Sequence, residues 1–242
     1  MPLLSAVPVR SFAYRHPHPA VAVDLAIFTV LDHRLSLLLV ERGVAPYKGK
    51  LALPGGFVRP NEDLSEAAQR ELSEETGLSA TYLQQVGAFG RPNRDPRERV
   101  VSIAFFAITA SGSALVAGTD ATDARWVYWR DLPQLAFDHN AIVQEAHRKL
   151  VETLQDSAVA LQFLPTEFTL TELQRIYETI LNEAVDKRNF RKWVQTQGFV
   201  KPTGRRTKGE SYRPAALYRA RPGNSLGALQ HQFPFLKPIE SA

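Results

Sequence analysis

Two short stretches constrain this chain more than any other feature: Gly56-Phe57-Val58-Arg59-Pro60-Asn61-Glu62, then Arg70-Glu71-Leu72-Ser73-Glu74-Glu75-Thr76-Gly77-Leu78. Asp63 is a good helix N-cap, Glu66 three residues later completes a capping box, and Gly77 supplies a C-terminal stop, so the spacing predicts one short helix. Leu64, Ala68 and Leu72 recur every four residues and make its buried stripe. Glu71 and Glu75 are also four apart, so their carboxylates stack on one face, with Glu74 a turn along from Glu71. Like charges at that spacing destabilise a bare helix by about 0.2–0.5 kcal/mol per pair, and a bound cation reverses the sign. Mg²⁺ and Mn²⁺ prefer oxygen ligands and share their shell with substrate phosphates. Such an ion polarises a phosphoryl oxygen and lowers the pKa of an attacking water. Arg70 can hold a glutamate in place through its planar fork. Gly55 and Gly56 permit a backbone shape that other residues would resist and expose a carbonyl or amide close to the site. A solvated acidic face would explain two glutamates. Nine fixed positions over 23 residues match by chance on the order of once in ten million chains of this length.

The rest of the first half reads as alternating strands and helices. Val21 to Val30 and Arg34 to Glu41 are strands joined at Asp32-His33, a hairpin pattern. Leu51 to Leu53, Thr81 to Phe89, Val100 to Ile108 and Arg125 to Trp129 are further strands, and His139 to Leu154 has helical periodicity. The loop Arg91 to Arg99 places four arginines between two strands, and arginine forks match phosphate oxygens. Phe137-Asp138-His139-Asn140 precedes the second helix as a cap. There is no cysteine, so disulfides and thiolate metal sites are excluded. No apolar run reaches membrane-spanning length, and residues 1–20 lack a signal-peptide core, so the expectation is a cytoplasmic protein.

The glutamate run matches the Nudix box, Gly-x5-Glu-x7-Arg-Glu-U-x-Glu-Glu-x-Gly-U, at every specified position, with Leu72 and Leu78 as the bulky aliphatic residues U. The resemblance implies an α/β/α sandwich with a mixed sheet over residues 20–155. It also implies hydrolysis of a nucleoside diphosphate linked to another group, with Mg²⁺ or Mn²⁺ as cofactor. By motif position Glu71, Glu74 and Glu75 resemble the metal-binding and water-activating set. Glu62 resembles the residue that braces it, and Gly56 a backbone contributor. The Arg-Asp-Pro-Arg stretch and the Ala-Phe-Asp-His stretch resemble the ADP-ribose branch of the family, which makes Arg94, Asp95 and Arg97 candidate substrate contacts.

The chain's charge is divided. Its net charge is +4, yet residues 1–165 hold 16 Lys/Arg against 18 Asp/Glu, while residues 187–221 hold 11 against Glu210 alone. Two halves of opposite sign suggest two tasks. Residues 156–168 read as a linker or a short docking helix ended at Pro165. Thr169 then begins a helix with Leu173, Ile176, Tyr177 and Ile180 on one stripe. Asp186 caps a second helix that turns Phe190, Trp193 and Val194 inward and Lys187, Arg188, Asn189, Arg191 and Lys192 outward. Gly198 ends it, and two strands follow around the basic loop Arg205-Arg206-Thr207-Lys208-Gly209. Helix, turn, basic helix and basic hairpin outline a winged helix-turn-helix over residues 169–221. Its lysines and arginines, including Arg205, Arg206 and Lys208, would neutralise the phosphates of double-stranded DNA, and Asn189 or Arg191 could reach base edges.

Both halves together resemble the Nudix-related transcriptional regulators of bacteria. The resemblance rests on Phe168-Thr169-Leu170-Thr171-Glu172-Leu173-Gln174, Asp186-Lys187-Arg188-Asn189-Phe190-Arg191 and Arg213-Pro214-Ala215-Ala216-Leu217-Tyr218. It implies a homodimeric repressor that binds palindromic operators, often of NAD-metabolism genes, and senses ADP-ribose or a related nucleotide. Many such regulators carry an incomplete box. This one is complete, so a Mg²⁺-dependent ADP-ribose pyrophosphatase is the alternative, and an RNA-facing hydrolase a third. Residues 1–19, with Pro2, Pro8, Pro17 and Pro19, read as an extended N-terminal arm, and the tail (222–242) carries no clear signal.

Overall fold

A computed structural model describes residues 14–110, 124–207, 214–221, 229, 233 and 234. In chain order its strands are β1 (Ala20–Leu31), β2 (Arg34–Glu41), β3 (Leu51–Ala52), β4 (Gly55–Phe57), β5 (Tyr82–Phe89), β6 (Val100–Ile108), β7 (Ala124–Tyr128), β8 (Val200–Arg206) and β9 (Ala216–Ala220). The helices are α1 (Leu64–Thr76), α2 (His139–Asp156), α3 (Leu170–Leu181) and α4 (Lys187–Gln197).

β1 is buried on both faces from Val23 to Val30, and the first domain is arranged around it. It meets β2 through the two-residue turn Asp32-His33, where both residues have positive φ (47° and 60°), the geometry that matches the strands' twist. It runs parallel to β6, from Ala20 opposite Val100 to Phe28 opposite Ile108. The other pairings, β2 with β3 and β7, β1 with β4 and β5 with β6, are antiparallel, so the sheet is mixed. Alternate residues of β1 face opposite layers. Val23, Leu25 and Ile27 pack with Ala67, Ala68 and Leu72 of α1. Ala26, Phe28 and Val30 pack with Ile142, Val143, Ala146 and Leu150 of α2. The result is the expected α/β/α sandwich.

The capping box of α1 is present, with Asp63 accepting from the Ser65 amide and Glu66 from the Asp63 amide, and Gly77 ends the helix at φ 65°. The buried stripe departs from expectation at its ends. Leu64 is only half-buried, and Glu71 joins Ala67, Ala68, Leu72 and Thr76 inside. Asp138 stands at the N-cap of α2 without a capping bond, because its carboxylate is taken by Arg94.

Residues 156–168 do not form a free linker. Ala158–Phe163 is a 3-10 turn whose Ala158, Val159, Ala160, Leu161 and Phe163 are buried. α3 carries a second capping box, Thr169 with Glu172, and buries Leu173, Ile176, Tyr177 and Ile180 as expected. Asp186 caps α4, and Phe190, Trp193 and Val194 face inward. β8 and β9 form the antiparallel hairpin. One hydrophobic core runs from β1 and α2 through the 3-10 turn to α3 and α4, so the second domain sits on the first through shared packing.

Candidate functional site

β1, β4, the loop after β5 and the start of α2 enclose a cleft of about 230 Å³, lined by Asp24, Arg42, Gly55, Gly56, Phe57, Arg94, Arg97, Phe137 and His139 among others. Its floor is a buried ionic network. Asp24 interrupts the apolar β1 and is 7 % exposed, and Arg94 is 8 % exposed. Arg94 Nη2 donates to Asp24 Oδ2 at 3.0 Å and to Asp138 Oδ1 at 2.7 Å, and its Nε donates to Asp138 Oδ2 at 3.2 Å. The Ser102 hydroxyl donates to Asp24 at 2.5 Å. His139 Nδ1 accepts from the Leu53 amide at 2.9 Å, so a neutral ring carries its hydrogen on Nε2, which faces Asp24 Oδ1 at 3.4 Å. Burial lowers the imidazole's pKa and keeps it neutral. The network ties β1, β6 and the arginine loop to the first turn of α2.

The rim is aromatic and cationic. The Arg97 guanidinium lies 5.8 Å from the Phe57 ring centroid and 5.9 Å from that of Phe137, and Arg42 lies 4.7 Å from Phe137. Asp95 orients Arg97 through a two-pronged bond at 3.0 and 2.6 Å, and those bonds hold the Asp95 carboxyl below the usual carboxylate range. Of the loop residues expected to touch substrate, Arg97 is half-exposed at the cleft. Arg94 and Asp95 are turned inward and hold the loop. Phe137 belongs to the Ala-Phe-Asp-His stretch singled out in the sequence, whereas Asp24, Arg42 and Phe57 were not named as candidates, although a lone aspartate in the apolar run of β1 is a visible signal.

The box glutamates stand behind Gly55 and Gly56, which line the cleft. Arg70 grips Glu62 at 2.9 and 2.6 Å, Glu71 at 2.5 Å and Glu74 at 3.2 Å. Hydrogen bonding from Arg70 holds the Glu62 carboxyl well below the usual carboxylate range, at about 2. Glu75 Oε2 accepts from the Gly55 amide at 3.0 Å. Arg59 reaches both oxygens of Glu74 at 3.3 Å. A Cβ on Gly56 would stand 2.2 Å from Glu71 Oε1, so a larger residue there would displace that carboxylate from its place. The donor types suit Mg²⁺ or Mn²⁺, but each carboxylate has an internal partner. No three acidic or histidine side chains converge on a metal position among the described residues. As placed, the box carboxylates do not assemble a metal site among the described residues.

The second site is a surface. Lys187, Arg188, Asn189, Arg191 and Lys192 are all exposed on α4, and none of the four cations makes an ion pair with a described residue. Arg191 and Lys187 also line a groove with the start of α3 (Thr169, Leu170, Thr171) and with Pro214 to Ala216. On the hairpin, Arg205 pairs with Glu167 at 3.0 Å and Arg206 donates to the Pro214 carbonyl, both at the surface. Lys208 lies outside the described residues. No described helix is long and apolar enough to cross a membrane.

Comparison with known proteins assigns both halves. Residues 18–152 match the NUDIX domain model, and residues 160–220 match the NrtR DNA-binding winged helix domain model. The chain is 38 % identical over 208 residues to the ADPR responsive transcriptional repressor NtrR of Acinetobacter baylyi, covering 84 % of this chain and 83 % of that one. It is 43 % identical over 131 residues to the ADP-ribose pyrophosphatase of Methanocaldococcus jannaschii, covering 54 % of this chain and 75 % of the enzyme. The fold is similar to the crystal structure of Shewanella oneidensis NrtR complexed with a 27mer DNA, with a TM-score of 0.79, 29 % identity and coverage of 88 % and 99 %. With a Nudix sandwich and an NrtR winged helix in one chain, the protein belongs to the NrtR family of Nudix-related transcriptional regulators.

Proposed function

We propose that this chain is a transcriptional repressor whose cleft takes ADP-ribose, or a related nucleoside diphosphate, and thereby releases operator DNA. The observation that carries the reading is the coexistence of two faces on one continuous core. One is a cleft of aromatic rings and arginines, and the other is a helix whose cations make no ion pair with a described residue. The ligand's planar base would stack on Phe57 or Phe137, and its diphosphate would face Arg42 and Arg97, where guanidinium forks match phosphate oxygens. The unpaired cations of α4 would release counterions from a DNA backbone, with Asn189 and Arg191 aimed at base edges. A relative described as ADPR responsive and a structural relative crystallised with DNA support both assignments.

The reading makes the chain a cytoplasmic homodimer on a palindromic operator of NAD-metabolism genes, because two-fold operators mirror two-fold proteins. Light scattering would show the dimer. A mobility-shift assay with duplexes upstream of NAD-metabolism genes and of the chain's own gene tests the function. A sequence-selective shift that ADP-ribose reverses is expected. A chain that binds no duplex selectively at moderate salt overturns the reading.

A second reading, an ADP-ribose pyrophosphatase, is favoured by the complete set Glu62, Glu71, Glu74 and Glu75 and by the archaeal relative. In it Glu71, Glu74 and Glu75 would be the ligands of Mg²⁺ or Mn²⁺. As placed they are paired elsewhere, so the sensor is the better reading. Incubation with ADP-ribose and Mg²⁺ decides: AMP released by wild type and not by Glu75→Gln would establish the enzyme.

A further inference from the structure

The match to the winged helix model ends at residue 220, and the sequence beyond carries no motif, yet Phe233 is only 5 % exposed. Its ring stacks on Tyr177 of α3 at 4.6 Å and 16°, and meets Trp193 of α4 edge-on at 4.9 Å and 89°. The Phe190 ring is 6.5 Å away. Its amide donates to the Gln155 carbonyl at 3.3 Å, and the Leu229 amide donates to the Asp156 carbonyl at 2.8 Å. Both acceptors sit in the last turn of α2. One residue, through its amide and its ring, therefore joins the end of α2 to both helices of the DNA-binding domain.

The other end of α2 lies in the cleft, where Asp138 and His139 join Arg94 and Asp24. α2 has 18 residues and so spans about 27 Å. It runs from the ligand's floor to the seat of Phe233. Ring stacking and edge-to-face contacts fix orientation as well as distance, and close-packed interiors transmit displacement.

We propose that Phe233 is the positioning residue that seats recognition helix α4 against the end of α2, so that occupancy of the cleft is reported at the DNA face. The proposal rests on the repressor reading and adds the route by which its two sites are coupled.

Phe233→Ala and the milder Phe233→Leu in the full chain test it. Three quantities are measured: ADP-ribose affinity by calorimetry, affinity for a labelled duplex from upstream of the chain's own gene with and without ADP-ribose, and hydrogen exchange along residues 187–197. Both variants are expected to hold ADP-ribose within about twofold of wild type. The ratio of duplex affinities without and with ligand, 5–150-fold in typical coupled proteins, is expected to fall toward 1 in Phe233→Ala and to an intermediate value in Phe233→Leu. Exchange in α4 should rise while α1 stays protected. If Phe233→Ala does not fold, Phe233→Leu carries the test. A wild type that ignores ADP-ribose overturns the repressor reading. A wild type that responds, with variants that respond equally, overturns the role of Phe233 alone. Unchanged exchange in α4 overturns the seat itself.

Discussion

α1 and α4 are both short, strongly charged, amphipathic helices, and they spend their charge in opposite ways. On α1, Glu71, Glu74 and Arg70 are paired with one another or with Glu62 and Arg59. On α4, Lys187, Arg188, Arg191 and Lys192 face water with no described acidic partner. A helix whose charges are matched within the protein has little electrostatic need of a partner. A helix with four unmatched cations is repelled by itself and gains from phosphates. The contrast separates a domain that holds its shape from a surface that waits for a polyanion, and it explains why a complete glutamate box need not imply turnover.

Breaking the α4 side should give the largest effect. Lys187→Glu with Arg191→Glu replaces two phosphate contacts by two repulsions, and duplex affinity is expected to fall on the order of 100-fold at moderate salt. ADP-ribose affinity should stay within twofold, which fluorescence anisotropy and calorimetry would check side by side. An equal loss of both would erase the distinction between the two helices.

The self-contained side breaks differently. Asp24→Asn removes one of the two carboxylates on the buried Arg94 and leaves Asp138 as its partner, so the loss is bounded above by the about 3–5 kcal/mol of a buried pair broken outright. A melting temperature lower by roughly 10 °C is expected, with ADP-ribose binding lost in parallel. Thermal denaturation with the duplex absent isolates this effect from DNA binding.

Acid should unsettle the first domain before it touches the basic face. His147 of α2 stacks on Trp129 at 3.8 Å, and burial lowers its pKa from 6.5 to about 4. The unfolded ring takes a proton near 6.5 and the folded ring only near 4. The unfolded chain therefore binds more protons between those values, and stability falls as pH drops from 6.5 to 4. The loss from His147 is on the order of 2–3 kcal/mol, and His139 adds in the same direction. His147→Leu should flatten that slope in melting curves taken from pH 7 to 5. An unchanged slope would place the sensitivity elsewhere.

The smallest effect is expected at Arg59→Ala. Its pair with Glu74 is half-exposed on both sides, and such pairs contribute about 0–1 kcal/mol. A large drop in melting temperature would mean that the box depends on that arginine for its shape.

Much of the comparison was legible in the sequence, for a physical reason. Both helices are amphipathic, with a 3.6-residue repeat and capping residues at their ends, so Asp63, Gly77, Asp186 and Gly198 could be placed before any contact was known. The outward set on α4 followed from the inward set Phe190, Trp193 and Val194. Pairings over long sequence separation were not legible. Asp24 finds Arg94 and Asp138 only once the sheet and α2 bring them together, and nothing in the spacing of Arg94 shows that its fork turns inward. Phe233 was invisible for the same reason. A single aromatic in an aperiodic tail has no pattern, and its partners Tyr177 and Trp193 read as ordinary core.

The central claim, that cleft and basic helix are two sites of one switch, has a direct test in reciprocity. If ADP-ribose weakens duplex binding by some factor, saturating duplex must weaken ADP-ribose binding by the same factor. Calorimetric titration of ADP-ribose into the free protein and into the protein–duplex complex is expected to give two dissociation constants whose ratio equals the shift in duplex affinity. Equal ADP-ribose affinity in the two titrations would contradict the account, because it would leave the cleft and α4 thermodynamically independent.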